Sequence, residues 1–287
     1  MKKTYPSNTY REMPKSYLEP CANAGKVVSF AYKAGDADKR ALVYLPHDYD
    51  KTKRYNVLYL LHGGADNETW YFRGEGEESW LKNVLDHMFE SGDCEPCLVV
   101  TPTYMTAGAN AFALAADFYG ELRDCLIPAF ESAYLTYAGN VTSEGIKASR
   151  RHRAYGGFSL GALSTWGVFE HCLDEVAYYM PMSGDCWNAP GGQRGPGEVK
   201  AEYLRDIVKK SGYTHDDFII YAGCGGPDDI AYPHMTPQLE AMAERTDTFR
   251  FCENFADGNF YYFQCDTGHT MTTCITTIYN GLPKFFG

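Results

Sequence analysis

The sequence lacks an apolar run long enough to cross a membrane, which takes about eighteen consecutive apolar residues. It also lacks a recognisable leader, because polar residues rather than an apolar segment follow the lysines at Lys2 and Lys3. No membrane partner is therefore expected. The compartment stays open: cytoplasmic as the sequence stands, secreted if a leader was removed.

Positive charge is scarce. The chain carries 26 Lys and Arg against 37 Asp and Glu, a formal net charge of −11. Binding to nucleic acid needs clustered Lys and Arg to neutralise phosphates, so no nucleic-acid partner is expected. The sequence gives no indication of oligomeric state.

Metal-ligand patterns are also sparse among the ten cysteines. Only Cys94 and Cys97 have C-x-x-C spacing, and neither a second pair nor a nearby histidine completes a zinc set. We expect no metal site there. An even number of cysteines permits disulfides without indicating any pairing, so their redox state stays open.

What the sequence does contain is a series of apolar runs alternating with helical patterns. The predicted strands are VVSFAY from Val27, ALVYLP from Ala41, NVLYLLH from Asn56, CLVVTPTY from Cys97, AYGGFS from Ala154, VAYYMPMSG from Val176, FIIYAGCG from Phe218 and FYYFQCDTG from Phe260. The predicted helices cover 80–89, 111–133, 161–172, 198–210, 236–245 and 271–286. The Gly- and Pro-rich segment 188–198 is predicted to be a surface loop.

This order predicts one α/β domain over residues 1–287, with residues 1–25 as an N-terminal extension. The first strands are close together in the chain, whereas the later ones are separated by helices. We therefore expect antiparallel N-terminal edge strands leading into a mostly parallel central sheet with helices on both faces.

A G-x-S-x-G motif, Gly157 to Gly161, stands between a predicted strand and a predicted helix. In that context a serine can be presented on a tight turn above the sheet, and glycines are needed where a Cβ would crowd the turn. Ser159 is therefore a candidate nucleophile. The amide of Leu160, at the start of the helix, could help to stabilise an oxyanion.

A serine nucleophile requires a base, which an acidic group orients. His269 follows the last predicted strand and is the best-placed histidine. Asp228 and Asp229 follow the preceding strand, and the residues alone do not decide between them. Gly64, after an early strand, could supply a second oxyanion amide, while His62 is interpreted as structural.

These features follow the chain order of α/β-hydrolases, and the sequence resembles the carbohydrate esterase family 1 feruloyl esterases. The resemblance covers about 41–286 and rests on YNVLYLLHGGADNETW, GGFSLGALSTWGVF, YYMPMSGDCW, DDIAYPHM and GHTMTTCITTIYNGLPKFF. It implies an α/β-hydrolase fold and a triad of Ser159, Asp229 and His269. It also implies an aromatic pocket near Trp187, with Tyr232 and Trp70 as weaker candidates for its walls.

The activity that this resemblance implies is hydrolysis of feruloyl-type esters, of plant-wall polysaccharide or of small phenolic esters, through an acyl-enzyme without a cofactor. Two alternatives remain. One is an esterase of the same fold for acetyl xylan, other short acyl groups or thioesters. The other is a carbohydrate-binding homologue without activity, although the chain keeps all the candidate catalytic residues.

Overall fold

A single sheet of eight strands forms the centre of the protein. The computed structural model describes residues 10–105, 109–252 and 258–287. The strands are β1 (Lys26–Ala34), β2 (Ala37–Leu45), β3 (Asn56–Leu61), β4 (Cys97–Thr101), β5 (Arg153–Phe158), β6 (Tyr178–Met182), β7 (Ile219–Gly225) and β8 (Phe260–Cys265). Each corresponds to one of the predicted runs.

Helices cover both faces of this sheet. They are α1 (Trp80–Ser91), α2 (Ala111–Glu121), α3 (Ile127–Ala133), α4 (Ser143–Ala148), α5 (Leu160–His171), α6 (Gly197–Ser211), α7 (Tyr232–Ala243) and α8 (Met271–Phe285). A short π-helical segment, Leu122–Leu126, joins α2 to α3, so the helical pattern predicted over 111–133 is continuous but changes its hydrogen bonding once. The short helix α4 was not predicted.

The strand order is β1-β2-β4-β3-β5-β6-β7-β8. β1 pairs antiparallel with β2, and β2 antiparallel with β4, whereas all the other neighbours are parallel. The expected antiparallel edge and parallel centre are thus confirmed. Because parallel strands have their carboxyl ends at the same edge of a sheet, the segments that follow β3, β5, β6, β7 and β8 meet there.

The core is divided between the two faces of the sheet. Every residue of β3 is buried. Val57, Tyr59 and Leu61 belong to one apolar cluster, while Leu58 and Leu60 belong to the other. This alternation follows from the two-residue period of a strand, and burial on both sides explains why the sequence of β3 is continuously apolar.

The described part of the N-terminal segment lies against α1 and α8. Arg11 and Asn280 exchange two hydrogen bonds between the backbone of one and the side chain of the other. The side-chain amide of Asn83 donates to the Leu18 carbonyl, and the backbone amide of Gly25 donates to the carboxylate of Asp86. None of the described helices is long and apolar enough to span a bilayer.

Candidate active site

Ser159 occupies a sharp turn between β5 and α5. Its backbone has φ 56° and ψ −113°, a conformation that side-chain-bearing residues seldom adopt. A Cβ at Gly157 would lie 2.5 Å from the Gly161 carbonyl, and one at Gly161 would lie 2.3 Å from the Leu61 oxygen. Both glycines are therefore required by close backbone contacts, which agrees with the steric reading of the motif.

His269 lies in the loop between β8 and α8 and is held by a buried carboxylate. Its Nδ1 is 2.8 Å from Oδ2 of Asp228, which is 1% exposed. Because an ionised carboxylate only accepts, Nδ1 carries the proton and Nε2 is left as the basic atom of the neutral ring. This is the tautomer that a general base acting on a serine needs.

The structure selects Asp228 and not Asp229, so the expectation that Asp229 is the partner of His269 is wrong. Oδ1 of Asp228 accepts from the amides of Ile230 and Ala231, at 3.1 and 2.9 Å, while Oδ2 faces the imidazole. Asp229, one position further along this turn, is exposed. Consecutive residues in a tight turn point in different directions, so only one can face β8.

The electrostatics of Asp228 suit this role. Burial opposes its ionisation, but the hydrogen bonds from His269 and from the Ala231 amide outweigh burial and hold the pKa of the carboxyl below its usual value. Asp228 is therefore ionised at neutral pH and can stabilise a positive charge on the imidazole.

The imidazole also contacts the turn that carries Ser159. The ring of Phe158, the preceding residue, lies 4.4 Å from the His269 ring, centroid to centroid. Among the described residues no hydrogen bond joins the Ser159 hydroxyl to the imidazole. Catalytic hydrogen bonds are often long before substrate binds and shorten in the complex.

The loop after β3 brings the second expected oxyanion donor to the nucleophile. A Cβ built on Gly64 would lie 3.4 Å from Cδ1 of Leu160, so these two residues are in contact range. The Leu160 amide is in the first turn of α5, where amides have no partner within the helix. Gly64 and Leu160 therefore lie together beside Ser159, and their role as oxyanion donors stays a prediction.

His62 fixes that loop. Its Nδ1 donates to the Gly63 carbonyl at 2.7 Å, and its Nε2 accepts from the Thr103 hydroxyl at 2.8 Å. The hydroxyl of Tyr104 also donates to the Gly63 carbonyl, at 2.7 Å, and its ring stacks on His62. Burial lowers the pKa of His62 to about 4, so the ring is neutral, in agreement with its interpretation as a structural residue.

A cavity of about 300 Å³ opens beside Ser159. Its walls come from the loops after β3, β6 and β7 and from the starts of α2 and α5. The described lining residues are Gly64, Phe112, Ser159, Leu160, Leu163, Ser183, Gly184, Asp185, Trp187, Gln193, Ile230 and Ala231. Gln193 belongs to the Gly- and Pro-rich loop.

Of the three aromatic residues expected at the pocket, only Trp187 lines this cavity. Trp70 stacks on Phe158 at 5.1 Å, and Tyr232 begins α7 and packs on the core. Sequence reasoning missed Phe112 and Ile230, which are 53% and 63% exposed. Phe112 lies in an apolar helical stretch and Ile230 is a single apolar residue in a turn, and neither pattern indicates a site.

Among the described residues, no group of three metal-ligating side chains lies around Ser159. In the described ranges one Cys–His–Glu group has ligand atoms within 4.8 Å of one another: Cys21, His87 and Glu90, on the N-terminal segment and α1. Cys94 and Cys97 are free and buried, as are most of the other cysteines. The reactive groups described above are the Ser159 hydroxyl, which lines the cavity, and the hydrogen-bonded His269 imidazole and Asp228 carboxylate.

A mostly parallel sheet that carries a strained serine after β5 and an aspartate–histidine pair after β7 and β8 defines an α/β-hydrolase. No family model matches the chain. A solved structure of a serine-to-alanine mutant of the feruloyl esterase module from Clostridium thermocellum, complexed with sinapinate, is 39% identical. It superimposes with a TM-score of 0.86 over 100% of this chain and 96% of that one. The chain belongs to the carbohydrate esterase family 1 feruloyl esterases.

Two curated relatives are larger proteins. Endo-1,4-beta-xylanase Y of Acetivibrio thermocellus is 42% identical over 280 residues, which are 96% of this chain and 24% of the relative. The endo-1,4-beta-xylanase/feruloyl esterase of Xylanibacter ruminicola is 31% identical over 167 residues, 55% of this chain and 21% of the relative. The chain thus spans between a fifth and a quarter of the length of these relatives.

Proposed function

We propose that the protein hydrolyses esters of hydroxycinnamic acids through a covalent acyl-enzyme on Ser159. The observation that carries the proposal is the Asp228–His269 pair beside the strained Ser159, in a chain 39% identical to a feruloyl esterase module that binds sinapinate. His269 acts as the base, and Asp228 takes the place that the resemblance gave to Asp229.

The first step transfers the acyl group to the enzyme. Nε2 of His269 takes the proton of the Ser159 hydroxyl as its oxygen attacks the ester carbonyl. The amides of Gly64 and Leu160 stabilise the oxyanion, an effect typically worth about 3 kcal/mol per donor. The protonated imidazole then gives its proton to the departing alcohol, and Asp228 stabilises the positive ring in between.

The second step regenerates the enzyme. Water attacks the acyl carbonyl as His269 removes its proton, and the same amides again hold the oxyanion. Ser159 leaves with the proton from His269, and the hydroxycinnamate is released as an acid. The chain's own residues supply every group needed, so the mechanism requires no metal or organic cofactor.

The lining of the cavity favours a phenolic acyl group over acetate. Phe112, Leu163, Trp187 and Ile230 give it a largely apolar wall beside Ser159. Flat aromatic groups gain from burial against such walls and from offset stacking on aromatic rings. An acetyl group would leave most of this wall without a contact.

Hydrolysis of methyl ferulate, caffeate, coumarate and sinapate tests this proposal. We expect turnover of these esters with a kcat/KM well above that for acetylated xylan, and Ser159→Ala should lower kcat by about 10⁴-fold or more. A higher kcat/KM on acetylated xylan would instead favour the short-acyl alternative. Failure of a fluorophosphonate probe to label the native protein would indicate a homologue without activity.

We also propose that the natural ester is attached to plant-wall polysaccharide. The support is that both curated relatives are named as xylanases. Release of ferulate from feruloylated arabinoxylan should then be detectable by chromatography, with the Ser159→Ala protein as the control. Turnover of methyl ferulate without release from the polymer would restrict the activity to small soluble esters.

A further inference from the structure

A buried ion pair stands directly behind the cavity. Lys200, on α6, is fully buried, and Asp185, in the loop after β6, is 4% exposed. Nζ of Lys200 donates to Oδ2 of Asp185 and, at 3.0 Å, to the carbonyl of Gln193. Asp185 and Gln193 both line the cavity. The ammonium group of Lys200 therefore connects two segments of the cavity wall through hydrogen bonds.

The other carboxylate oxygen of Asp185 accepts a hydrogen bond from an aromatic side chain. The indole Nε1 of Trp187 donates to Oδ1 of Asp185 at 3.0 Å. The same indole stacks on Phe112 of α2, with 5.6 Å between ring centroids and 18° between planes. The position of the Trp187 ring is therefore fixed at its N–H by Asp185 and over its face by Phe112.

The loop that carries these residues lies close to the turn of Ser159. A Cβ at Gly184 would lie 2.8 Å from the Ser159 carbonyl oxygen and 2.8 Å from the Cβ of Ala162. Because it has no Cβ, Gly184 thus allows the loop to pack closely against the backbone of Ser159. Any displacement of Asp185 would alter the distance between the Trp187 ring and Ser159.

We propose that Lys200 and Asp185 are positioning residues that set the preference for an aromatic acyl group, by holding Trp187 as the wall against which it packs. The inference rests on the proposed function and deepens it. A buried ion pair contributes little net stability relative to apolar residues of similar size, because desolvation offsets the attraction between the charges. Its contribution here is the orientation of the indole.

Two neutral double variants isolate the hydrogen bond to Trp187. Lys200→Met with Asp185→Asn removes both charges but keeps an acceptor for the indole N–H. Lys200→Met with Asp185→Leu removes both charges and the acceptor. The measurement is the ratio of kcat/KM for methyl ferulate to kcat/KM for 4-nitrophenyl acetate, since the acetyl group is too small to use the wall.

We expect the variant with leucine to lower this ratio about three- to tenfold, mainly through a higher KM for methyl ferulate, because one hydrogen bond that orients the wall is lost. The variant with asparagine should keep the ratio within about twofold of the wild type. An unchanged ratio in the leucine variant, or an equal fall in both variants, would overturn the inference.

Trp187→Phe provides a second route if the leucine variant does not fold. It keeps an aromatic ring but removes the N–H, so the ratio should fall in the same direction, and an unaltered ratio would count against the proposal. The matched control is the other buried Lys–Asp pair, Lys82 and Asp86 in α1, which does not line the cavity. Lys82→Met with Asp86→Asn should leave the ratio unchanged.

The proposed function can fail separately from this inference. A wild-type protein that hydrolyses 4-nitrophenyl acetate but not methyl ferulate would overturn the proposed substrate class. A wild-type protein that hydrolyses both, with the same ratio in the leucine variant, would overturn only the positioning role of Lys200 and Asp185.

Discussion

Asp228 and Asp229 are neighbours in the chain, yet one is buried against His269 and the other is exposed. We therefore expect Asp228→Ala to lower kcat/KM on methyl ferulate by about 10³- to 10⁴-fold, because the imidazole loses the group that fixes its tautomer and stabilises its charge. Asp229→Ala should remain within about twofold of the wild type. Steady-state kinetics on both variants checks this, and a large loss in Asp229→Ala alone would reverse the assignment.

His62 should make stability depend on pH. In the folded protein burial lowers its pKa to about 4 from the usual 6.5, so the folded state favours the neutral ring. His62 therefore contributes fully to the free energy of unfolding above about pH 6.5. This contribution is lost as the pH falls from there to about 4, because over that range the ring is protonated in the unfolded chain but not in the folded protein. The wild type should lose roughly 2 kcal/mol more than His62→Gln between about pH 7 and about pH 4.5.

Urea unfolding at the two pH values measures this difference. Other groups that titrate over the range contribute equally to both proteins and cancel in the comparison. Equal losses of unfolding free energy in the wild type and in His62→Gln would show that the ring is already protonated, or exposed, in the folded state.

At the scale of the element, α5 depends on a glycine that a free helix would not favour. Ala is a better helix former than Gly by about 1 kcal/mol. At Gly161, however, a Cβ would lie 2.3 Å from the Leu61 oxygen and 2.8 Å from the His62 oxygen, both backbone atoms of the β3 segment. Gly161→Ala should therefore destabilise the protein by about 2 kcal/mol or more and lower activity through displacement of Ser159.

Gly120 in α2 is the matched control, because nothing lies within 4 Å of a Cβ built there. Gly120→Ala should raise the free energy of unfolding by up to about 1 kcal/mol. Denaturant unfolding compares the two variants directly. A stabilising effect at both positions would mean that α5 can move away from β3 at little cost.

The sequence predicted secondary structure well where periodicity or turn chemistry is local. The eight apolar runs become strands because each is long enough to span the sheet and is bounded by polar or turn residues. The short helix α4 was missed, since six residues contain too little periodicity to recognise. Nothing in the local sequence around Phe112 and Ile230 indicated that these side chains border a cavity.

At the scale of the whole molecule, the N-terminal segment is joined to the last helix. Asn280, 3% exposed, donates to the Arg11 carbonyl and accepts from the Arg11 amide, across 269 positions of sequence. Asn280→Ala should lower the free energy of unfolding by about 1–3 kcal/mol, because two part-buried hydrogen bonds to the backbone of Arg11 are lost. Thermal unfolding followed by circular dichroism measures the effect.

The comparison variant is Arg11→Ala, which keeps the backbone bonds to Asn280. It removes a partly exposed ion pair with Asp93 and a cation–π contact with Tyr279, for which about 1 kcal/mol or less is expected. If Arg11→Ala were the more destabilising variant, the side chain rather than the backbone would anchor the segment.

The amino-acid sequence by itself determined the α/β order of elements, the turn at Ser159 and the loop of His269, because each depends on contacts between residues close in the chain. Only the tertiary structure decided that Asp228 faces His269, that Trp187 rather than Trp70 or Tyr232 borders the cavity, and that Lys200 reaches Asp185. These depend on the direction of side chains across strands far apart in sequence. Local patterns carry no information about that direction until the sheet is assembled.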